Sequence, residues 1–193
     1  MPVRPLLPRR RADATQNRML LLQAAEKVFT EHGVQAPLEA VSRQAGVGRA
    51  TLFRNFPDRQ SLVIALLERG LDSVAAEAAR LEGTPDALVH LLHHVLERVM
   101  VRAPLVEYWQ TVGRGQPQIE AAVLRLLSIF EPLVRRAVAE GRCRPDLGPG
   151  DILLLLPLFG AGAAPLGQRM ALADRIWEFA MDIVQPATPP PRR

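Results

Sequence analysis

The stretch from residue 45 to 62 has the spacing of a tight turn followed by a short helix with a basic outer face. Gly46 stands where the chain must reverse between two short helices, and glycine tolerates the positive φ angle that this turn requires. Val47, Leu52 and Phe56 have the spacing of a buried face. The side chains between them are small, polar or basic and point outward: Arg49, Ala50, Thr51, Arg54 and Asn55. A helix with these two faces can enter the major groove of DNA.

Periodicity along the whole chain predicts an all-α protein. Ala, Leu, Arg and Glu recur at helical spacing, whereas the apolar/polar alternation typical of strands is rare. Helices are predicted over residues 14–32, 38–45, 49–55 and 59–81. One further helix follows the break at residues 83–86, and others are predicted over 105–112, over about 118–141, after Asp151 and over about 166–184. Asp58 and Asp151 are the predicted N-caps of the helices that follow them.

Composition divides the 193 residues into four segments. Residues 1–13 are rich in Pro and Arg and are predicted to be a disordered basic arm, and the Pro-rich residues 185–193 a disordered tail. Residues 14–60 hold the helix-turn-helix, and residues 61–184 form a second helical domain. The length suffices for one sizeable core or two small ones.

Charge and cysteine content restrict the class of protein. Residues 1–60 carry ten Arg or Lys and five Asp or Glu, whereas residues 61–193 carry fourteen and fifteen. Positive charge therefore lies with the helix-turn-helix, where phosphate contact requires it, although residues 9–11 supply much of the excess. The single cysteine, Cys143, excludes an intramolecular disulfide and fits a reducing, cytoplasmic location. No signal peptide is predicted, because no long apolar region follows the N-terminal arginines. No membrane association is predicted either, because the uncharged run 152–168 is short and broken by Pro and Gly.

Short motifs within residues 20–66 resemble the TetR (tetracycline-repressor) family of bacterial transcriptional regulators. They are Val41-Ser42, Ala45-Gly46-Val47, Thr51-Leu52-Phe53 and the closing Phe56. The resemblance implies an N-terminal three-helix helix-turn-helix DNA-binding domain plus a C-terminal helical ligand-binding and dimerisation domain. It also implies a homodimeric repressor that binds a near-palindromic double-stranded DNA operator and is released by a small molecule.

By position, the resemblance assigns DNA-binding roles to residues of the third and fourth helices: Arg49, Ala50, Thr51, Phe53, Asn55 and Arg59. Arg54, which adds charge on the outer face of the third helix, and Arg43, on the outer face of the second, are further candidates for phosphate contact. Phe53 stands where the family usually has Tyr and lacks the hydroxyl. Pro37 and Gly48 replace residues that usually supply side-chain caps. We therefore expect DNA affinity to depend mainly on arginine charge and to fall steeply with salt.

Candidate ligand-binding residues lie in the second domain. Three histidines and a glutamate form one helical stripe: His90, His93, His94 and Glu97. We interpret this stripe as pocket or core rather than as a metal site, and we predict no metal and no cofactor. The full candidate set for the ligand is His90, His94, Met100, Tyr108, Trp109, Arg114, Leu127 and Phe130. Its aromatic members fit a pocket or a plain core equally well, and the apolar surroundings favour a hydrophobic small molecule.

The last two helices are more apolar than one small core requires. A second copy of the chain is the simplest cover, which predicts a homodimer through these helices, and the alternative is an internal core helix. Separately, Cys143 lies between Arg142 and Arg144, from which we expect a lowered thiol pKa.

No enzyme is predicted, because the sequence offers no nucleophile–base pair, no glycine-rich phosphate loop and no three-ligand metal spacing. The main alternative to a ligand-responsive repressor is a constitutive DNA-binding regulator without a ligand. A cavity in the second domain favours the former, and a filled core favours the latter.

Overall fold

The computed structural model describes residues 7–112, 115–160 and 172–185. These residues form α-helices joined by turns, with no strand among them, which confirms the predicted all-α fold. In chain order the helices are α1 (Leu7–His32), α2 (Leu38–Gln44), α3 (Arg49–Asn55), α4 (Arg59–Arg80), α5 (Ala87–Val101), α6 (Ala103–Val112), α7 (Pro117–Ala139), α8 (Pro149–Gly160) and α9 (Ala173–Val184). Within the described ranges, no helix combines the length and apolar character needed to cross a membrane.

The chain divides into two compact units, residues 1–67 and 68–193. The boundary between the units follows residue 67 and so lies inside α4, whereas the sequence placed it after residue 60. Helix α4 runs through both positions without a break. Among the residues that the structure describes, Asp86, just before α5, is a non-glycine residue with a positive φ angle, of 57°.

Helix α1 begins earlier than the sequence predicted. It starts at Leu7, so residues 7–13 are helical and are not the expected disordered arm. The Pro-rich composition was misleading here, because proline is tolerated in the first turn of a helix and the Arg and Ala residues that follow are good helix formers. Residues 1–6 and the tail 186–193 lie outside the described residues.

Helices α1, α2 and α3 of the first unit share one apolar core. Its fully buried members include Leu21 and Phe29 of α1, Val41 of α2, Leu52 of α3 and Phe56 just after α3. Burial of each such side chain contributes about 1.5–3 kcal/mol. Because Leu52 anchors α3 on this side, the opposite side of the helix faces outward.

The turn between α2 and α3 has the geometry that the sequence predicted for Gly46. Gly46 has a φ of +67°. Its N–H donates to the carbonyl of Arg43 at 3.2 Å, and the N–H of Val47 donates to the carbonyl of Ser42 at 3.1 Å. These two bonds form a Schellman motif, which satisfies the last carbonyls of α2 and requires a left-handed residue.

The predicted cap of α4 is confirmed. The Asp58 carboxylate accepts a hydrogen bond from the Ser61 N–H at 2.7 Å, and the Ser61 hydroxyl donates to the Asp58 carbonyl at 2.8 Å. The first of these bonds satisfies one of the N–H groups that the first turn of a helix otherwise leaves without partners.

In the second unit, α8 contacts α5, α6, α7 and α9. The Asp151 prediction was partly wrong: α8 begins at Pro149, so Asp151 lies in its first turn and is not the N-cap. Proline suits the first helical position because its φ is already helical. The Asp151 carboxylate instead accepts the backbone N–H of Gly148 at 2.7 Å. The helix predicted from residue 166 is described only from Ala173 onward.

Candidate functional site

The outward side of α3 carries the residues that the sequence singled out. Arg49, Ala50 and Arg54 are exposed, whereas Thr51 and Asn55 are half-buried. Val47, which the sequence analysis placed on the buried face, is only half-buried, because it lies in the turn before the helix begins. Gly48 precedes the helix with a φ of −67° and a ψ of 148° and provides no side-chain cap, as the sequence led us to expect.

Hydrogen bonds along α3 join Arg54 and Asn55 to the preceding turn of the same helix. Arg54 Nε donates to the carbonyl of Ala50 at 3.1 Å, and Arg54 Nη2 donates to the Thr51 hydroxyl at 3.1 Å. Asn55 Nδ2 donates to the carbonyl of Thr51 at 2.8 Å. The partners of Arg54 in these bonds are neutral, and no carboxylate of the described residues pairs with it, so its positive charge remains uncompensated there on the exposed side of the helix.

Arg49 differs from Arg54 because it has an acidic partner. Its Nη2 lies 3.1 Å from Glu39 Oε1, on α2. The guanidinium carbon of Arg49 also lies 5.4 Å from the centre of the Phe53 ring. Sequence reasoning missed Glu39, because an acidic residue is not expected on a surface that must approach phosphates.

Arg43 and Arg59 have different surroundings. Arg43 is exposed on α2, as expected. Arg59 is half-buried, and its Nη1 donates hydrogen bonds to the carbonyls of Val34 and Ala36, in the connection between α1 and α2. Its guanidinium carbon lies 5.7 Å from the centre of the Phe29 ring. Arg59 therefore has a structural role in the first unit that the sequence did not predict.

Arg18 on α1 is a further basic residue, and it lies beside the end of α3. Its guanidinium carbon lies 4.4 Å from the centre of the Phe56 ring, and its Nη1 donates to the carbonyl of Asn55 at 3.4 Å. Arg18 precedes the buried residues Leu21 and Leu22 by one helical turn, which places it beside the core-facing side of α1, but no local pattern indicates its partners Phe56 and Asn55.

The predicted ligand residues of the second unit differ in burial. Met100 and Phe130 are buried, Tyr108, Trp109, Leu127 and His94 are half-buried, and His90 is exposed. Arg114 lies outside the described residues. Two ring nitrogens, His94 Nε2 and Trp109 Nε1, are buried and have no hydrogen-bond partner among the described residues. Burial is the main cause that lowers the pKa of His94, with a further contribution from the positive charge of Arg98.

A cavity of about 430 Å³ lies elsewhere in the second unit. Its walls come from α4, from the start of α5 and from α7, and none of the predicted ligand residues that the structure describes lines it. Small side chains of α4, namely Ala75, Ala78 and Ala79, form one wall, and Ile129 and Leu133 of α7 contribute to another. Sequence reasoning missed this cavity, because alanines at helical spacing carry no signal for an empty volume.

The surroundings of Cys143 contradict the expected low thiol pKa. Cys143 is buried, and this burial raises the pKa of the thiol. The neighbouring arginines are engaged by carboxylates: Arg142 bonds to Asp86 and to Glu140, each at 2.9 Å, and Arg144 bonds to Asp146 at 2.6 Å. Their charges are therefore compensated and do not stabilise a thiolate.

Large apolar side chains remain exposed on and beside the last two described helices. Leu154 of α8 is 70% exposed, Phe179 of α9 is 54% exposed, and Leu172 just before α9 is 53% exposed. Arg175 lies over the Phe179 ring at 5.3 Å. Trp177 of α9 meets His93 edge-on, with the ring centres 4.8 Å apart.

Comparisons with known proteins agree with the resemblance seen in the sequence. A family model described as bacterial regulatory proteins of the tetR family matches residues 21–66. An HTH-type transcriptional regulator of Staphylococcus aureus strain USA300 is 35% identical over 63 residues, which are 32% of this chain and 34% of that protein. The match thus spans about a third of the curated relative.

Similar solved structures cover nearly the whole chain. A TetR transcriptional regulator from Streptomyces coelicolor is 26% identical, with a TM-score of 0.67 over 89% of this chain and 99% of that one. A TetR transcription regulatory protein from Mycobacterium vanbaalenii is 27% identical, with a TM-score of 0.62 over 91% of this chain and 98% of that one.

Proposed function

We propose that this chain is a ligand-responsive repressor, from the premise that it belongs to the TetR family of bacterial regulatory proteins, whose members are DNA-binding transcriptional regulators. The observation that carries the proposal is the outer side of α3, where Arg49 and Arg54 are exposed on a helix anchored by the fully buried Leu52. A short, rigid helix with exposed arginines fits the major groove, where arginine donates to guanine and to phosphates.

Within the proposed interface, the residues have different tasks. Arg43 and Arg54 supply positive charge that binds phosphates, and the hydrogen-bond partners of Arg54 are neutral. Arg49, Ala50 and Thr51 face the bases, and Phe53 and Asn55 contact the sugar–phosphate backbone. Arg59 contributes at the start of α4 through the nitrogens that do not bond to the α1–α2 connection. Since few hydroxyl groups are present, affinity depends on arginine charge and therefore on salt.

We infer that the repressor is a homodimer formed through the last two helices. The exposed Leu154 and Phe179 support this arrangement, because two copies of one apolar surface can cover each other around a two-fold axis. A dimer would present two copies of α3, one for each half-site of a near-palindromic operator.

The proposed effector is a small, mainly hydrophobic molecule bound in the second unit. The cavity lined by α4, α5 and α7 supports a ligand-responsive regulator over a constitutive one. The buried ring nitrogens of His94 and Trp109 support a second, more polar position on α5 and α6. Either position acts only if the ligand binds one conformation of the helices more tightly than the other.

Selection of bound duplexes from a random DNA pool, at two salt concentrations, tests the proposal. A palindromic motif whose affinity falls steeply with salt is the expected result. A folded protein that enriches no motif would contradict the DNA-binding function. Addition of candidate hydrophobic molecules to the selected complex then tests release, and a matched variant with Ala78→Leu, which fills the cavity, should respond less.

A further inference from the structure

The carboxylate of Glu39 lies beside Arg49, the arginine at the start of α3. Glu39 Oε1 is 3.1 Å from Arg49 Nη2, and the Phe53 ring lies one turn along α3 at 5.4 Å from the guanidinium carbon. The Arg49 guanidinium is thus held from two sides. We propose that Glu39 is a positioning residue that aims Arg49 at a guanine, an inference that rests on the proposed DNA-binding function.

The pair adds little to the stability of the fold. The Arg49 side chain is 69% exposed and the Glu39 side chain is 43% exposed, and exposed ion pairs contribute little to folding. Its main effect is on the rotamers of Arg49, which are restricted before DNA arrives. Guanine recognition uses two parallel N–H groups of one arginine, directed at O6 and N7, so a guanidinium fixed in direction discriminates better than a mobile one.

The charge of Glu39 also separates the tasks of the two arginines on α3. Glu39 compensates Arg49, so Arg49 adds little net positive charge toward phosphates. Arg54 bonds to neutral groups, the Ala50 carbonyl and the Thr51 hydroxyl, and keeps its full charge. Because sequence-independent affinity comes from phosphate neutralisation, Arg54 supplies general affinity and the Arg49–Glu39 pair supplies sequence preference.

The test compares the wild-type protein with Glu39→Gln, Arg49→Ala and the double variant. Glu39→Gln keeps the shape and removes the charge. Glu31→Gln is the matched control, because Glu31 is an exposed carboxylate at the end of α1 that lies 3.8 Å from the adjacent His32. Base preference is read by duplex selection, and affinity for random DNA is measured beside it. Urea unfolding checks that the variants remain folded.

The wild-type protein is expected to prefer guanine at one position of each half-site. Discrimination by one bidentate arginine is about 5- to 150-fold, and Glu39→Gln should reduce it about two- to fivefold at that position, which is the range that an exposed ion pair can supply. Affinity for random DNA should rise in both Glu39→Gln and Glu31→Gln, because each removes one negative charge. The double variant should have the same base preference as Arg49→Ala alone.

Two results would overturn the positioning role while leaving the DNA-binding function intact. In the first, Glu39→Gln changes affinity as Glu31→Gln does and leaves the guanine preference unchanged. In the second, Glu39→Gln still alters the preference when Arg49 is already alanine, which would mean that Glu39 reads a base by itself. A wild-type protein without any motif would overturn the proposed function and this inference together.

Discussion

Two glycines on either side of Val47 should respond in opposite directions to the same substitution. Gly46 has a φ of +67°, whereas Gly48 has a φ of −67°. A Cβ atom at either position would meet no neighbouring atom within 4 Å. Steric contacts therefore do not distinguish the two sites, and the local backbone conformation decides the effect on the free energy of unfolding.

The magnitudes follow from that difference. At Gly46, serine must adopt a left-handed conformation, which costs about 1–2 kcal/mol, and the lower entropy of the unfolded chain offsets about 0.4–1 kcal/mol. Gly46→Ser should therefore destabilise the protein by about 1 kcal/mol. At Gly48 the backbone already suits serine, whose hydroxyl can also cap the first turn of α3, so Gly48→Ser should stabilise the protein by about 0.5–1 kcal/mol.

Urea unfolding at one fixed protein concentration measures both effects as shifts of the midpoint at constant slope. Because the chain has two units, hydrogen exchange of the Val47 amide, which donates to the Ser42 carbonyl, provides a local readout. Protection of this amide should fall in Gly46→Ser and be retained in Gly48→Ser. Shifts in the same direction for both variants would refute the argument from backbone conformation.

The remaining predictions concern single side chains. Arg54→Ala should weaken binding to selected and random DNA alike and reduce the salt slope by about one per contact, whereas an unchanged slope would exclude phosphate binding. Leu52→Ala should cost about 3 kcal/mol in urea unfolding, since Leu52 is fully buried. Cys143, whose thiol pKa is raised by burial, should react with iodoacetamide about tenfold or more slowly in the folded than in the unfolded chain. Burial lowers the pKa of His94 in the folded protein, so the unfolded chain binds a proton at this histidine first as the pH falls below about 6.5. The free energy of unfolding should therefore decrease below this pH, and it should decrease less in His94→Gln.

Local patterns predicted the helix-turn-helix well. The limits of α3, the turn at Gly46 and the Asp58 cap were all predicted, because each depends on residues within one or two turns of the chain. The start of α1 was wrong for the opposite reason, since composition was given more weight than the tolerance of proline in a first turn.

Contacts between distant residues could not be predicted. Glu39 meets Arg49 across a turn, Arg59 bonds to carbonyls some two dozen residues earlier, and Arg142 pairs with Asp86. The last pair shows why Cys143 was misjudged, because a neighbouring arginine lowers a thiol pKa only if no carboxylate compensates it. Nor does any periodicity report the volume left between packed helices.

The bonds of Arg59 have a mechanical consequence for the first unit. Its guanidinium, at the start of α4, holds the carbonyls of Val34 and Ala36. A hydrogen bond to a charged group contributes about 1.5–3 kcal/mol. A conformation in which the first turn of α4 has separated from both carbonyls would therefore be populated by about one molecule in a hundred or fewer. The opening turn of α4 and the α1–α2 connection thus behave as one rigid body, and any bending of α4 must take place further along the helix.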